Sequence, residues 1–175
     1  MIRPMEKKDK DQVIAMMRTF YASPAVLSNG SQEIFEADVA NCLGDCPYIE
    51  GYVFAEGDVL QGYGMVTKSF STEFGKPCIW VEDLYVKAEY RGLGLGSRFL
   101  QYVEEKYPGC VLRLEVEAEN ARAVHVYKKA GFTELPYLEM KKIINPGVSY
   151  EEQIHHFRYC QGSRCVQDRC LLCAE

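Results

Sequence analysis

A chain of 175 residues, 47% of them hydrophobic, suits one domain with a sizeable core. Its formal net charge of −5 argues against a nucleic-acid binder relying on a basic face. MIRPMEKKDKD at the N-terminus has no apolar signal stretch and no run is long enough to span a membrane, so a cytoplasmic protein with no membrane partner is expected.

Residues 1–4 read as a short strand. Asp9 is a candidate cap for a helix to about Tyr21, with Val13, Ile14, Met16, Met17 and Phe20 as its apolar stripe. Residues 22–30 form a loop punctuated by Pro and Gly, and a second helix runs over about 31–43. Strands at 48–56 and 59–70 flank Gly57 and Asp58, a hairpin signal, and 77–86 adds a third strand to the meander. Residues 96–107 have helical spacing and stop at Pro108 and Gly109. Residues 110–118 alternate as a strand. Residues 120–132 open on an Asn cap and close at Gly131, and 137–144 read as a last strand. The order β-α-α-β-β-β-α-β-α-β places one strand–helix–strand crossover beside an antiparallel meander. The expectation is a mixed, mostly antiparallel α/β sheet. After NPG (145–147), Ser149 and Glu152 form a capping box for a terminal helix at about 150–158.

The glycines of YRGLGLGS are the strongest chemical signal. A P-loop needs a Lys after its second glycine, and none is present. A dinucleotide fingerprint needs a third glycine where Ser97 or Phe99 stands. Glu115 and Glu117 near the end of the next strand keep that reading open, as does a plain flexible turn capping a helix. The pattern that fits is Arg-x-x-Gly-x-Gly: Arg91, Gly94 and Gly96. Together, VEDLYVKAEYRGLGLGS and NARAVHVYKKAGF resemble the GNAT superfamily of acyl-CoA-dependent N-acetyltransferases, over roughly residues 1–144.

The resemblance implies the GNAT fold with six to seven strands, acetyl-CoA as cosubstrate and no metal in catalysis. It implies that Arg91, Gly92, Leu93, Gly94, Leu95, Gly96 and Ser97 grip the pyrophosphate. Glycines let backbone N–H groups approach an anion, and a helix N-terminus adds donors and a positive dipole end. Leu84, Tyr85 and Val86 supply backbone groups to the pantetheine arm and the oxyanion, where the fourth and fifth strands splay. Asn120 and Ala123 line the other side of the cofactor. Tyr127 matches the family's general acid for the leaving thiolate; a phenol with pKa about 10 needs local help to protonate a thiolate of about 8.5. It also packs on the sheet in the plainer reading of a helix tyrosine.

Glu82 matches the glutamate that, in polyamine-type members, meets the substrate amine directly or through water. Glu82 and Asp83 are consecutive in a strand and so are expected on opposite faces. Charge within IWVEDLYV is costly unless paired, which favours a purpose for at least one of them. The family builds its acceptor site from the first two helices and their loop. Tyr21, Glu33, Glu36, Glu82 and Asp83 are therefore candidates for an acidic pocket suited to a polyamine, an aminoglycoside or a lysine-like amine. A solvated helix face explains Glu33 and Glu36 equally well. His125 faces away from Tyr127. By analogy with the family, a homodimer is expected.

Eight cysteines in a cytoplasmic chain are expected as thiols, with Cys78 and Cys110 as small buried hydrophobes. Cys160, Cys165, Cys170 and Cys173 crowd a tail outside the resemblance, so 145–175 is read as a separate helical, cysteine-rich extension. Its readings are metal binding, disulfides, docking on a partner or an inert appendage. Besides an N-acetyltransferase, two functions stay open on sequence. One is a non-catalytic acyl-CoA-binding regulatory module that senses through this tail. The other is a nucleotide binder of another α/β fold.

Overall fold

The computed structural model describes residues 1–143. Met1–Glu134 forms one compact unit, and the chain from Leu135 belongs to a second. In the first unit five strands align in the order β1-β2-β3-β4-β5. They are β1 (Ile2–Pro4), β2 (Ile49–Glu56), β3 (Val59–Ser71), β4 (Lys76–Val86) and β5 (Val111–Leu114). The first three pairings are antiparallel and β4–β5 is parallel. The helices are α1 (Lys10–Tyr21), α2 (Gln32–Leu43), α3 (Leu95–Lys106) and α4 (Ala121–Lys129). Helix α3 makes the crossover that a parallel pair requires.

Strand alternation sends apolar side chains to both faces, so each face needs a helical cover. Val53, Ala55, Tyr63, Met65 and Tyr85 meet Val13, Ile14 and Met17 of α1 and Phe35 and Val39 of α2. Tyr52, Phe54, Val66, Ile79 and Val81 meet Leu95, Phe99, Leu100 and Val103 of α3. Phe99 is fully buried, worth about 2–3 kcal/mol in apolar transfer. Gly64 makes its place: a Cβ there would stand 2.4 Å from Phe99 Cζ.

Two expectations change. Asp9 does not cap α1 with its side chain. Its buried carboxylate accepts two hydrogen bonds from Arg3, at 2.7 and 2.9 Å, and one from the Glu6 N–H at 2.8 Å. It thereby ties β1 to the start of α1. The sheet has five strands among the described residues, not six to seven, because 137–143 carry no strand. Alternating apolar residues make a strand only where a neighbouring ladder takes up the backbone groups. The expected helix at 150–158 and the cysteine tail lie outside the described residues.

Candidate functional site

The site begins where two strands part. β4 and β5 pair only from Cys78↔Val111 to Val81↔Leu114. β4 continues to Val86, so Glu82–Val86 have no β5 partner. The expected strand at 110–118 stops at Leu114, and the acidic EVEAEN that follows does not extend the ladder. Leu84, Tyr85 and Val86 thus present open backbone along one lip. The side chains of Leu84 and Val86 pack toward α3, and Tyr85 is buried against α1 and α2.

The glycine loop lies just beyond this lip. Gly92 (φ 86°) and Gly94 (φ 75°) take left-handed backbone, and Gly94 is the N-cap of α3. Only glycine adopts this geometry without strain. A glycine cap brings no side chain to the orphan N–H groups, and the first turn of α3 has no acidic residue. The first helical N–H bond of the turn is Arg98 to the Gly94 carbonyl, which leaves the N–H groups of Leu95, Gly96 and Ser97 to other partners. Leu95 is buried and anchors the turn; Leu93 and Ser97 are exposed. Gly96 faces Leu84, whose Cδ2 would lie 3.8 Å from an added Cβ.

Arg91 turns back toward β4. Its Nε donates to the Val86 carbonyl at 2.9 Å, and its guanidinium lies 5.9 Å from the Tyr85 ring centroid. A second cation was not anticipated: Arg122 Nη2 lies 4.0 Å from the position of a Gly92 Cβ. Its signal was visible in NARAV, an arginine in the first turn of the helix that follows the Asn cap.

Helix α4 supplies the opposite wall. Asn120 Oδ1 accepts from the Ala123 N–H at 3.2 Å, so both residues build the helix start. Tyr127 packs edge-on to Phe132, with centroids 6.0 Å apart, in the same apolar group as Leu84, Val86 and Leu114. Burial pushes its phenol pKa up, and its hydroxyl has no hydrogen-bond partner among the described residues. It therefore stays protonated near neutral pH and free to donate.

The acids sit on the α1–α2 face. Met65 pairs with Asp83 and Val66 with Val81, so Glu82 is the extra residue of a β-bulge. The bulge overturns the expectation of opposite faces. Asp83 points at Tyr63 (Oη 2.8 Å) and Tyr21 (Oη 3.1 Å). Glu82 accepts from Thr67 Oγ1, two positions along β3 from Met65 and on the same face. Both acids therefore look to one side.

Asp83 is 4% exposed. Burial raises its pKa to about 6, helped by the charges of Asp38 and Glu82 and opposed by the two tyrosine hydrogen bonds. Asp38 is likewise pushed up to about 6, by burial first and by Glu82 second. Tyr21 and Tyr63 are raised by burial and by the neighbouring Asp83 charge.

Asp38 was missed in the sequence. It shares the inward stripe of α2 with Phe35, Val39 and Cys42 at helical spacing, which is the signal that finds it. Glu33 and Glu36 do not share that stripe. Glu33 is exposed in the first turn of α2, where its own N–H and Ser31 hold its carboxyl below the usual range. Glu36 is exposed and accepts from Gln32. Among the described residues, no group of three His, Cys, Asp or Glu is placed to hold a metal ion.

An open strand edge, a glycine-capped helix and a phenol packed beside them are the parts an acyl-CoA transferase needs, and comparison with known proteins agrees. The profile of the acetyltransferase (GNAT) family matches residues 13–132. A thialysine N-epsilon-acetyltransferase of Bos taurus is 34% identical over 150 residues, covering 79% of this chain and 87% of that protein. A possible acetyltransferase from Clostridium difficile 630 superposes with a TM-score of 0.71 at 21% identity, covering 83% of this chain and 98% of that one. An aminoglycoside N-acetyltransferase solved with CoA superposes with a TM-score of 0.67 at 16% identity, covering 82% and 93%; at such identities the likeness concerns the fold. The chain belongs to the GNAT family and is an acyl-CoA-dependent N-acetyltransferase.

Proposed function

We propose that the chain moves the acetyl group of acetyl-CoA to a primary amine of a small cationic acceptor. The observation that carries this reading is the bulge at Glu82. It sets two carboxylates side by side at the mouth of the β4–β5 opening, with Asp38 facing them. Three clustered acids attract a cation and repel an anion. The thialysine acetyltransferase relative supports an amine of the lysine type.

In this reading the pyrophosphate of the donor rests on the N–H groups of Gly92–Ser97, with Arg91 and Arg122 adding charge. The pantetheine arm runs along the open edge of Leu84–Val86, and Asn120 and Ala123 flank it. Tyr21 and Asp83 shape the acceptor side. Glu82, exposed beside Thr67, takes a proton from the acceptor ammonium, directly or through water. The neutral amine attacks the thioester carbonyl. Backbone N–H groups of the β4 edge stabilise the oxyanion. The C–S bond then breaks, Tyr127 gives its proton to the departing thiolate, and the extra proton on the acylated nitrogen returns to the Tyr127 phenolate, directly or through water.

Thiol release from acetyl-CoA should be followed across polyamines, lysine, its thioether analogue and aminoglycosides. At least one should turn over. Tyr127→Phe should lower kcat about 10²-fold with CoA affinity unchanged. If none of these amines releases thiol while CoA binds tightly, the amine reading fails.

A further inference from the structure

One cation on the acceptor face has no part in this scheme. Arg113 of β5 is in register with Trp80 of β4, which pairs with Thr67 of β3. Its strand neighbours Leu112 and Leu114 pack on the α3 side, so Arg113 projects to the face of Glu82 and Asp83. Its guanidinium lies over the Trp80 ring, 4.5 Å from the centroid. That is well inside the range of about 6 Å for a cation–π contact. Stacking uses the flat face of the guanidinium and leaves its in-plane N–H donors free for a forked contact. No carboxylate among the described residues forms a salt bridge with it.

This placement bears on the acceptor. A bare polyamine would meet a fixed positive charge beside its acidic site, an arrangement that disfavours it. A molecule carrying both an ammonium and a carboxylate satisfies both halves. The two positions are also close enough for one small molecule to reach both. Arg113 is one strand across and two residues back from Glu82, roughly 8 Å between Cα positions from sheet spacing. A carboxylate separated from a terminal amine by five carbons spans about 7 Å when extended.

Resting on the amine-acetylation reading above, we infer that Arg113, held flat on Trp80, binds the carboxylate of the acceptor and determines specificity. The acceptor class is then a free amino acid with a distal amine, not a diamine, a polyamine or a lysine within a peptide.

The test uses the full chain with acetyl-CoA and three acceptors: lysine, lysine amide and cadaverine, which is lysine without its carboxylate. The expected kcat/KM for lysine exceeds the other two by about tenfold or more, from one charge-assisted forked contact. Arg113→Met should lower kcat/KM on lysine about 10- to 100-fold, mainly through KM, and leave cadaverine within about twofold. Arg113→Lys should recover part of the loss. The inference is overturned if wild type uses cadaverine or lysine amide as well as lysine. It is also overturned if Arg113→Met lowers all three alike, the mark of a structural role. The wild-type comparison decides the matter even if Arg113→Met fails to fold. If none of the three is acetylated but another amine is, the inference alone falls. If no amine of any kind is acetylated, the parent reading falls with it.

Discussion

Asp38 and Asp83 hold protons more tightly than surface carboxylates, because packing strips water from them and Glu82 adds a nearby negative charge. A folded-state pKa raised from 3.8 to about 6 means that the native protein binds more protons than the unfolded chain across that window. The stability from the protonated form is fully present below 3.8 and is lost as pH rises through about 6. Asp38→Asn removes the charge and keeps the size. Its melting temperature should exceed that of wild type by a few degrees at about pH 8, since Asp38 is partly exposed and the gain is about 1 kcal/mol. The two proteins should converge below about pH 4. A melting gap that is flat with pH would show that Asp38 does not carry this linkage. At this scale the motif VHVYKKAGF singled out Tyr127, and the structure places it in the apolar group of Leu84 and Val86. Counting acids singled out Glu33 and Glu36, which are exposed, whereas helical phase brings Asp38 to the stripe of Phe35 and Val39.

The proposed donor side is built at the scale of elements. Gly94 starts α3 in left-handed backbone, while Leu95, Phe99, Leu100 and Val103 hold the rest of the helix down. Gly94→Ala forces a side chain into that region at a cost of about 1–2 kcal/mol. The strain falls on the turn proposed to hold the pyrophosphate. CoA affinity measured by calorimetry should drop about tenfold, with helix content by circular dichroism unchanged. Unaltered affinity would remove this turn from the donor site. Helix and hairpin positions were readable from caps, periodicity and turn residues. The Glu82 bulge was not, because a period-2 pattern cannot register one inserted residue. The early end of β5 was also hidden, since Val116 continues the alternation beyond Leu114.

Among the described residues, order along the chain was legible and the number of strands was not. Residues 137–144 alternate like a strand, yet 137–143 form none. The edge of the sheet at β1 is fixed by a pair that sequence spacing suggested only as a cap. Arg3 grips the carboxylate of Asp9, which is 2% exposed. The grip holds the Asp9 pKa below its ordinary value. Arg3→Ala leaves that carboxylate buried without a cation, a loss of about 3 kcal/mol and several degrees of melting temperature at neutral pH. A depressed carboxylate contributes stability that is present above its unfolded pKa and lost as pH falls through the folded value. The difference between wild type and variant should therefore shrink in acid. An equal loss at all pH values would point to packing by the Arg3 stem in place of its charge.

The opening at Glu82–Val86 has a cost for the protein on its own. It leaves a stretch of strand whose edge can bond to any extended chain that reaches it. In the proposed binding mode, a donor molecule along Leu84–Val86 would close that edge as a neighbouring strand does. On that proposal the acyl donor would act as a guard as well as a reagent, and the enzyme would be safest from self-association while it is supplied with fuel.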